Sequence, residues 1–376
     1  MAATINNLLF SFVLLLGAVF LLVSPASCNE NLLEKCGIKT IYQLGDSISD
    51  TGNLVRENPQ VVCARRPYGQ YFFMNATGRC SDGLLIIDFF TISAALPFLE
   101  AYLNPNPRSL DSGMNFAVAG ATALPAHTLA EKSISSPVTN SSLDKQLDWM
   151  FTYFNGSVCN TTDCLNKLNN TLFMVGEIGG NDYNYALFRG KSLEEVTLLV
   201  PDVVQAIKEA ATRVIGYGAR RIVVPGNFPI GCFPSYLTLF QTTDSAAYDE
   251  LHCLKELNNL AIYHNQHLQQ TLEELKMEYP DVVIVYGDYF SAYMWILQNV
   301  HSLGFDAATA QKACCGLGGE YDFSASRICG TPGVPVCANP LERISWDGIH
   351  STHKANGFMA SWIIQDILPK FQCSYP

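Results

Sequence analysis

The chain predicts an α/β fold of three layers, αβα, built around a central parallel sheet. Apolar, strand-like runs recur at residues 38–44, 172–176, 221–225 and 282–286. Long helix-patterned stretches lie between them, including 201–217 and 245–276. Strands alternating with helices pair in parallel, and the helices then cover both faces of the sheet. Ligands in such open sheets lie at the carboxyl ends of the strands, so residues just after each strand are the first to inspect.

At the amino end, residues 8–23 form an apolar run too short to span a bilayer comfortably. Ala26 and Cys28 follow with small residues at the spacing signal peptidase uses, although no Lys or Arg precedes the run. The expectation is a signal peptide over 1–28 and one domain over 29–376, since no linker, repeat or low-complexity tract divides the rest. A membrane anchor is the alternative reading of that run. Of the 13 cysteines, loss of Cys28 leaves an even number, as an oxidising compartment and a disulfide set require.

The first strand, ending Ile41-Tyr42-Gln43-Leu44, breaks into Gly45-Asp46-Ser47-Ile48-Ser49-Asp50-Thr51-Gly52-Asn53. A strand-to-turn junction exposes a serine hydroxyl beside free backbone N–H groups, the setting a nucleophile needs. Read alone, Asp46, Ser47 and Asn53 equally suit a simple turn or helix cap. Next, Asn115-Phe116-Ala117-Val118-Ala119-Gly120-Ala121-Thr122 is a run of small residues where the Gly120 N–H can approach a ligand, or a packed turn.

Five glycosylation triplets begin at Asn75, Asn140, Asn155, Asn160 and Asn169, three of them crowded into a polar stretch beside Cys159 and Cys164. That stretch reads as exposed and glycan-bearing, with the two cysteines able to close a small loop. The strand at 171–176 then ends in Glu177-Ile178-Gly179-Gly180-Asn181-Asp182, where the Asn181 amide is a candidate oxyanion donor or a turn former. Residues 225–232, Pro-Gly-Asn-Phe-Pro-Ile-Gly-Cys, form a loop after a strand that either lines a cleft or serves as a turn. His252, Tyr263, His264 and His267 fall on the long predicted helix as surface or packing residues, because His264 and His267 lack a third ligand for a metal.

Near the carboxyl end, Cys314, Cys315, Cys329 and Cys337 sit in a glycine-rich stretch without nearby histidine, so disulfides fit better than a metal. Trp346-Asp347-Gly348-Ile349-His350 then places an acid three residues before a histidine, ahead of a helical stretch at 355–370. Asp347 can orient His350, and a serine triad tolerates any chain order. His353 has no acid at the matching spacing.

Taken in order, Gly45-Asp46-Ser47, Gly120, Gly179-Gly180-Asn181-Asp182 and Asp347 to His350 resemble the GDSL family of esterases and lipases, the SGNH hydrolases. The opening Gly-Asp-Ser-x-x-Asp-Thr-Gly-Asn and the Asn-Phe-Ala-x-x-Gly-Ala are similar to the plant secreted branch, most of all to its acetylajmalan esterase and sinapine esterase-like members. The resemblance implies a flavodoxin-like αβα sheet, Ser47 as nucleophile, His350 as base, Asp347 as its partner, and an oxyanion hole of the Ser47 N–H, Gly120 and Asn181. Ser351 stands where many members carry proline after the histidine, a difference of loop stiffness rather than chemistry. The implied reaction is hydrolysis of a small acylated plant metabolite through an acyl-serine, the acyl group acetyl or hydroxycinnamoyl, with no cofactor or metal. Acyl transfer to an alcohol, lipase action and a non-catalytic binding role are the other readings.

A net charge of −11 and the lack of basic runs exclude a phosphate-tracking nucleic-acid surface and an electrostatic membrane patch. The expected partner is a small ester, and the expected location is the secretory route, ending in the apoplast or vacuole.

Overall fold

The computed structural model describes residues 31–159, 168–371 and 373. Residues 1–28, Asn160 and Cys164, which carry the expected signal peptide, one glycan site and half of one expected loop, lie outside them. A single five-stranded sheet holds strands β1 (Thr40–Leu44), β2 (Gly113–Asn115), β3 (Thr171–Val175), β4 (Arg221–Pro225) and β5 (Val283–Gly287). The spatial order is β2-β1-β3-β4-β5, and every pairing is parallel. That is the flavodoxin-like order, with its switch point beside β1.

The strands are buried on both faces, as a covered parallel sheet demands, and β1, β3, β4 and β5 are accordingly near-continuous apolar runs. Seven helices matter for the site: α1 (Ile86–Ser93), α2 (Leu143–Tyr153), α3 (Gly180–Leu187), α4 (Val200–Gly216), α5 (Lys255–Glu278), α6 (Tyr289–Gln298) and α7 (His353–Ile367). Helices α2, α4 and α5 pack together along one side, and α1, α6 and α7 along the other. Right-handed crossovers explain the split, because β1 to β2 steps one way along the sheet and β2 to β3 to β4 to β5 the other.

Two sequence readings need correction, and one strand was not anticipated. Strand β2 is too short, and its Gly-Met-Asn too polar, to register as a strand; only the approach of Gly113 to Ile41 admits it, since a Cβ there would lie 1.9 Å from the Ile41 carbonyl oxygen. Helix α5 begins at Lys255, not at residue 245, because the Cys232–Cys253 disulfide and a bridge between Tyr248 and Leu254 hold the preceding residues in a loop. His252 therefore lies off the helix, at φ +61°. The helix at the carboxyl end starts at His353, capped by the Thr352 side chain, which accepts from the Ala355 N–H.

Cys314–Cys337 and Cys315–Cys329 are disulfides, as the absence of histidine suggested, and Cys36–Cys373, Cys63–Cys80 and Cys232–Cys253 join them among the described residues. Such a set suits an oxidising compartment. No helix among the described residues is long and apolar enough to cross a membrane.

Candidate active site

Four adjacent strands each deliver one residue to the same end of the sheet: Gly120 follows β2, Ser47 follows β1, Asn181 follows β3 and Asn227 follows β4. Ser47 sits on a turn that the chain over-determines. The Gly45 N–H donates to Gln146 Oε1 (2.9 Å), and Gln146 Nε2 donates back to the Gly45 carbonyl (2.8 Å). Asp46 Oδ1 accepts from the Ile48 N–H, and its carbonyl accepts from Ser49 and Asp50. The Asp50 carboxylate gathers the N–H groups of Gly52, Asn53, Leu54 and Ala119, tying the serine turn to the loop that carries Gly120. Asp50 and Asn53 are thus scaffold, and Ser47 is the residue they present.

His350 arrives from outside the sheet. Its Nε2 lies 2.8 Å from Ser47 Oγ, and its Nδ1 lies 2.7 Å from Asp347 Oδ2. Asp347 Oδ1 accepts from the N–H groups of Ile349 and His350, so the three-residue spacing closes a tight turn that fixes acid and ring together. The loop is braced by a bridge between Ser345 and Ser351 and by the paired-disulfide segment, whose Cys314 and Cys315 N–H groups donate to the Ser345 and Trp346 carbonyls. Gly348 adopts φ +102° with Phe323 packed where a side chain would stand.

Burial alone would raise the Asp347 carboxyl, but the His350 charge, that ring's hydrogen bond and two backbone N–H groups outweigh it, and the group lies below its ordinary value. Burial pulls His350 down, yet Asp347, helped by Asp46, more than reverses this and raises its proton affinity. An imidazole so placed can take a proton from the serine hydroxyl and hold it.

The oxyanion candidates are brought to Ser47 as well. The backbone N–H groups of Ser47 and Gly120 have no acceptor among the described residues. Gly120 has φ +83°, and a Cβ there would sit 2.5 Å from Val138 Cγ1, so only glycine leaves that N–H accessible. Asn181 stands in the first turn of α3, where its Nδ2 donates to the Ala121 carbonyl at 2.9 Å and, at a longer 3.2 Å, to Asp46 Oδ2. A groove of about 550 Å³ opens over Ser47 and His350 and is walled by Leu54, Val61, Val138, Phe188, Phe323 and Ile328.

His353 lies elsewhere: its Nδ1 accepts from the Leu84 N–H and its ring sits among Tyr71, Phe72 and Phe89. His264 is a packing residue, buried against Tyr183 with Nδ1 2.8 Å from the phenol oxygen, and burial lowers its pKa to about 3. No group of three metal-ligating side chains occurs among the described residues.

The family model for GDSL-like lipases and acylhydrolases matches residues 41–363. The chain belongs to that GDSL family. Acetylajmalan esterase 1 of Rauvolfia serpentina is 45% identical over 344 residues, covering 90% of this chain and 89% of that one. Acetylajmalan esterase of the same plant is 44% identical over 368 residues, covering 97% and 94%. A GDSL esterase/lipase of Arabidopsis thaliana is 42% identical over 343 residues, covering 91% and 93%. The family and these relatives make this GDSL protein a carboxylic ester hydrolase.

Two site features of this hydrolase escaped the sequence reading. Tyr68 Oη donates to Asp347 Oδ2 across 279 residues of chain. Glu177 is buried beside Asp46, whose N–H donates to the Glu177 carbonyl; burial first, then the charges of Asp46 and Asp182, push its carboxyl well above the ordinary carboxylate range. An acid inside an otherwise apolar strand end was the available signal for Glu177; nothing local marked Tyr68.

Proposed function

We propose that this GDSL hydrolase is a secreted serine esterase that removes an acyl group from a small plant metabolite, an acetyl or hydroxycinnamoyl ester, an alkaloid ester being one such substrate. The observation that carries the reading is the 2.8 Å approach of His350 Nε2 to Ser47 Oγ at the foot of an apolar groove. Ser47 Oγ attacks the ester carbonyl carbon while His350 Nε2 takes its proton. Asp347 holds the ring in the needed tautomer and stabilises the imidazolium. The oxyanion that forms is met by the Ser47 and Gly120 N–H groups and by the Asn181 amide, which turns its longer bond from Asp46 toward the new charge.

Collapse of that intermediate breaks the bond to the alcohol oxygen, which leaves with the proton from His350. Water then repeats the sequence on the acyl-serine and releases the acid, so no cofactor or metal enters. The apolar walls of the groove fit a hydrophobic alcohol rather than a charged polymer. Support for the secretory route comes from the disulfides and from the exposure of Asn75, Asn140, Asn155 and Asn169, all open to glycan attachment. On this reading residues 29–376 act as one unit after removal of 1–28, reaching the apoplast or vacuole.

The test is hydrolysis of a short-chain chromogenic ester by the glycosylated protein beside Ser47→Ala prepared identically. Activity in the first and none in the second is the expected result. Equal activity in both would sink the serine mechanism.

A further inference from the structure

We infer that the two halves of the ester occupy separate compartments, and that a small cavity behind Ser47, bounded by Ile48, Ile230, Phe233, Ile349, Glu177 and Asn227, restricts the acyl half to acetyl or little more. The inference rests on the serine-esterase reading above and narrows it to one substrate class: an acetate ester of a bulky apolar alcohol.

Two spaces open on both Ser47 and Asn181. The groove, about 550 Å³, includes His350 in its wall; the cavity, about 30 Å³, does not. The leaving alcohol oxygen must take its proton from His350 Nε2, so the alcohol lies on the His350 side, in the groove. The acyl carbon is bonded to Ser47 Oγ, and its substituent points the other way, into the cavity.

Size then sets the class. A water-sized group needs about 10–15 Å³, so a cavity of about 30 Å³ admits roughly two such groups. A methyl on the carbonyl carbon fits, whereas an aromatic acid or a fatty chain does not. The floor adds a chemical barrier to the steric one. Asn227 Nδ2 is buried without an acceptor among the described residues, and the Asn265 side chain clamps the Asn227 backbone at both its N–H (2.7 Å) and its carbonyl (3.0 Å). Glu177 lies near it: Asn227 Oδ1 and Glu177 Oε1 each stand 3.3 Å from where a Cβ on Gly180 would be. A longer hydrocarbon chain would be driven against a buried carboxyl and an unpaired amide, neither of which it can satisfy.

The experiment compares 4-nitrophenyl acetate, propionate, butyrate, hexanoate and cinnamate as substrates of the full chain and of Ile230→Ala. In parallel, the rate of Ser47 labelling is measured with 4-nitrophenyl phosphonates carrying methyl or hexyl on phosphorus. The expected result for the unaltered protein is a fall in kcat/KM of about 10-fold or more for each methylene beyond propionate, little turnover of cinnamate, and faster labelling by the methyl phosphonate. Ile230→Ala should shrink the acetate-to-butyrate ratio at least about 10-fold. Hexanoate or cinnamate turned over within threefold of acetate, equal labelling by the two phosphonates, or an unchanged ratio in a folded variant would overturn the inference while leaving the esterase reading intact. If Ile230→Ala does not fold, the chain-length series of the unaltered protein still decides. No hydrolysis and no labelling at Ser47 would overturn the esterase reading, and the inference with it.

Discussion

Tyr68 donates its hydroxyl to Asp347 Oδ2 at 2.8 Å, the same oxygen that faces His350 Nδ1 at 2.7 Å. One carboxylate oxygen is shared between a phenol and the imidazole, so the phenol tunes how strongly Asp347 attracts the proton on His350. Tyr68→Phe keeps the ring edge-on to Trp346 and removes only the donor. Hydrogen bonds to charged groups contribute about 1.5–3 kcal/mol, part of which reaches His350. The expected outcome is a kcat lowered about 3- to 10-fold and an acid limb of the pH profile displaced upward, because Asp347 becomes a stronger base. A purely structural defect would reduce the active fraction and leave the limb where it was.

On the proposed serine mechanism, His350 must be neutral to accept the proton of Ser47. Asp347 raises its proton affinity against the opposing effect of burial. Activity therefore falls as pH drops through a midpoint above the ordinary histidine value of about 6.5, and it is retained on the alkaline side. The pH dependence of kcat/KM checks this directly, and a midpoint at or below 6.5 would contradict it. Asp347→Asn should lower kcat by about 10³- to 10⁴-fold and move the limb to lower pH, since the charge that raises the histidine is gone.

Gly120 and Asn181 differ in what substitution does to them. Asn181→Ala removes one of the three oxyanion donors proposed above and should cost about 100- to 1000-fold in kcat with little change in KM. Gly120→Ala adds a methyl at φ +83° against Val138 and the Tyr185 hydroxyl, so it should disturb both the loop and the rate. Steady-state kinetics beside a melting curve separates the two: Asn181→Ala keeps its Tm within a few degrees, and Gly120→Ala does not.

Stability should respond to pH in an unusual direction. Burial, then the Asp46 and Asp182 charges, raises Glu177 well above the ordinary range, and burial raises Asp182 to about 7 despite two backbone N–H donors. A carboxyl that binds its proton more tightly folded than unfolded stabilises the fold below its unfolded pKa, near about 4. That contribution fades as pH rises through the folded value. Glu177→Gln removes one such group and should flatten the decline of Tm between pH 5 and pH 8. Identical pH dependence in the two proteins would count against the buried proton.

Arg79 and Asp88 form a two-pronged buried ion pair, Nε to Oδ2 at 2.8 Å and Nη2 to Oδ1 at 2.7 Å, and Asp88 also accepts from the Leu85 N–H at the start of α1. Arg79→Leu leaves that charge buried without its partner. The expected loss is about 3–5 kcal/mol of unfolding free energy by chemical denaturation, with the remaining folded fraction still able to hydrolyse ester.

Short-range patterns carried much of this molecule into view. The apolar runs that become β1, β3, β4 and β5 announce a sheet buried on both faces, and their alternation with helices announces parallel pairing, because these preferences are set by neighbouring residues. Asp347 and His350 were legible together because three residues suffice to close the turn that joins them. Ser47, Gly120 and Asn181 were legible one by one as turns after strands and were joined only through the family resemblance; their nearness itself is a property of the order β2-β1-β3, which no local pattern encodes. The same holds for Tyr68 against Asp347, Gln146 against Gly45, and the closing of Cys232 on Cys253 that delays α5. Contacts between residues far apart in the chain form only once the sheet has chosen its neighbours, and the small cavity behind Ser47, walled from the ends of four chain segments, exists only in that packed arrangement.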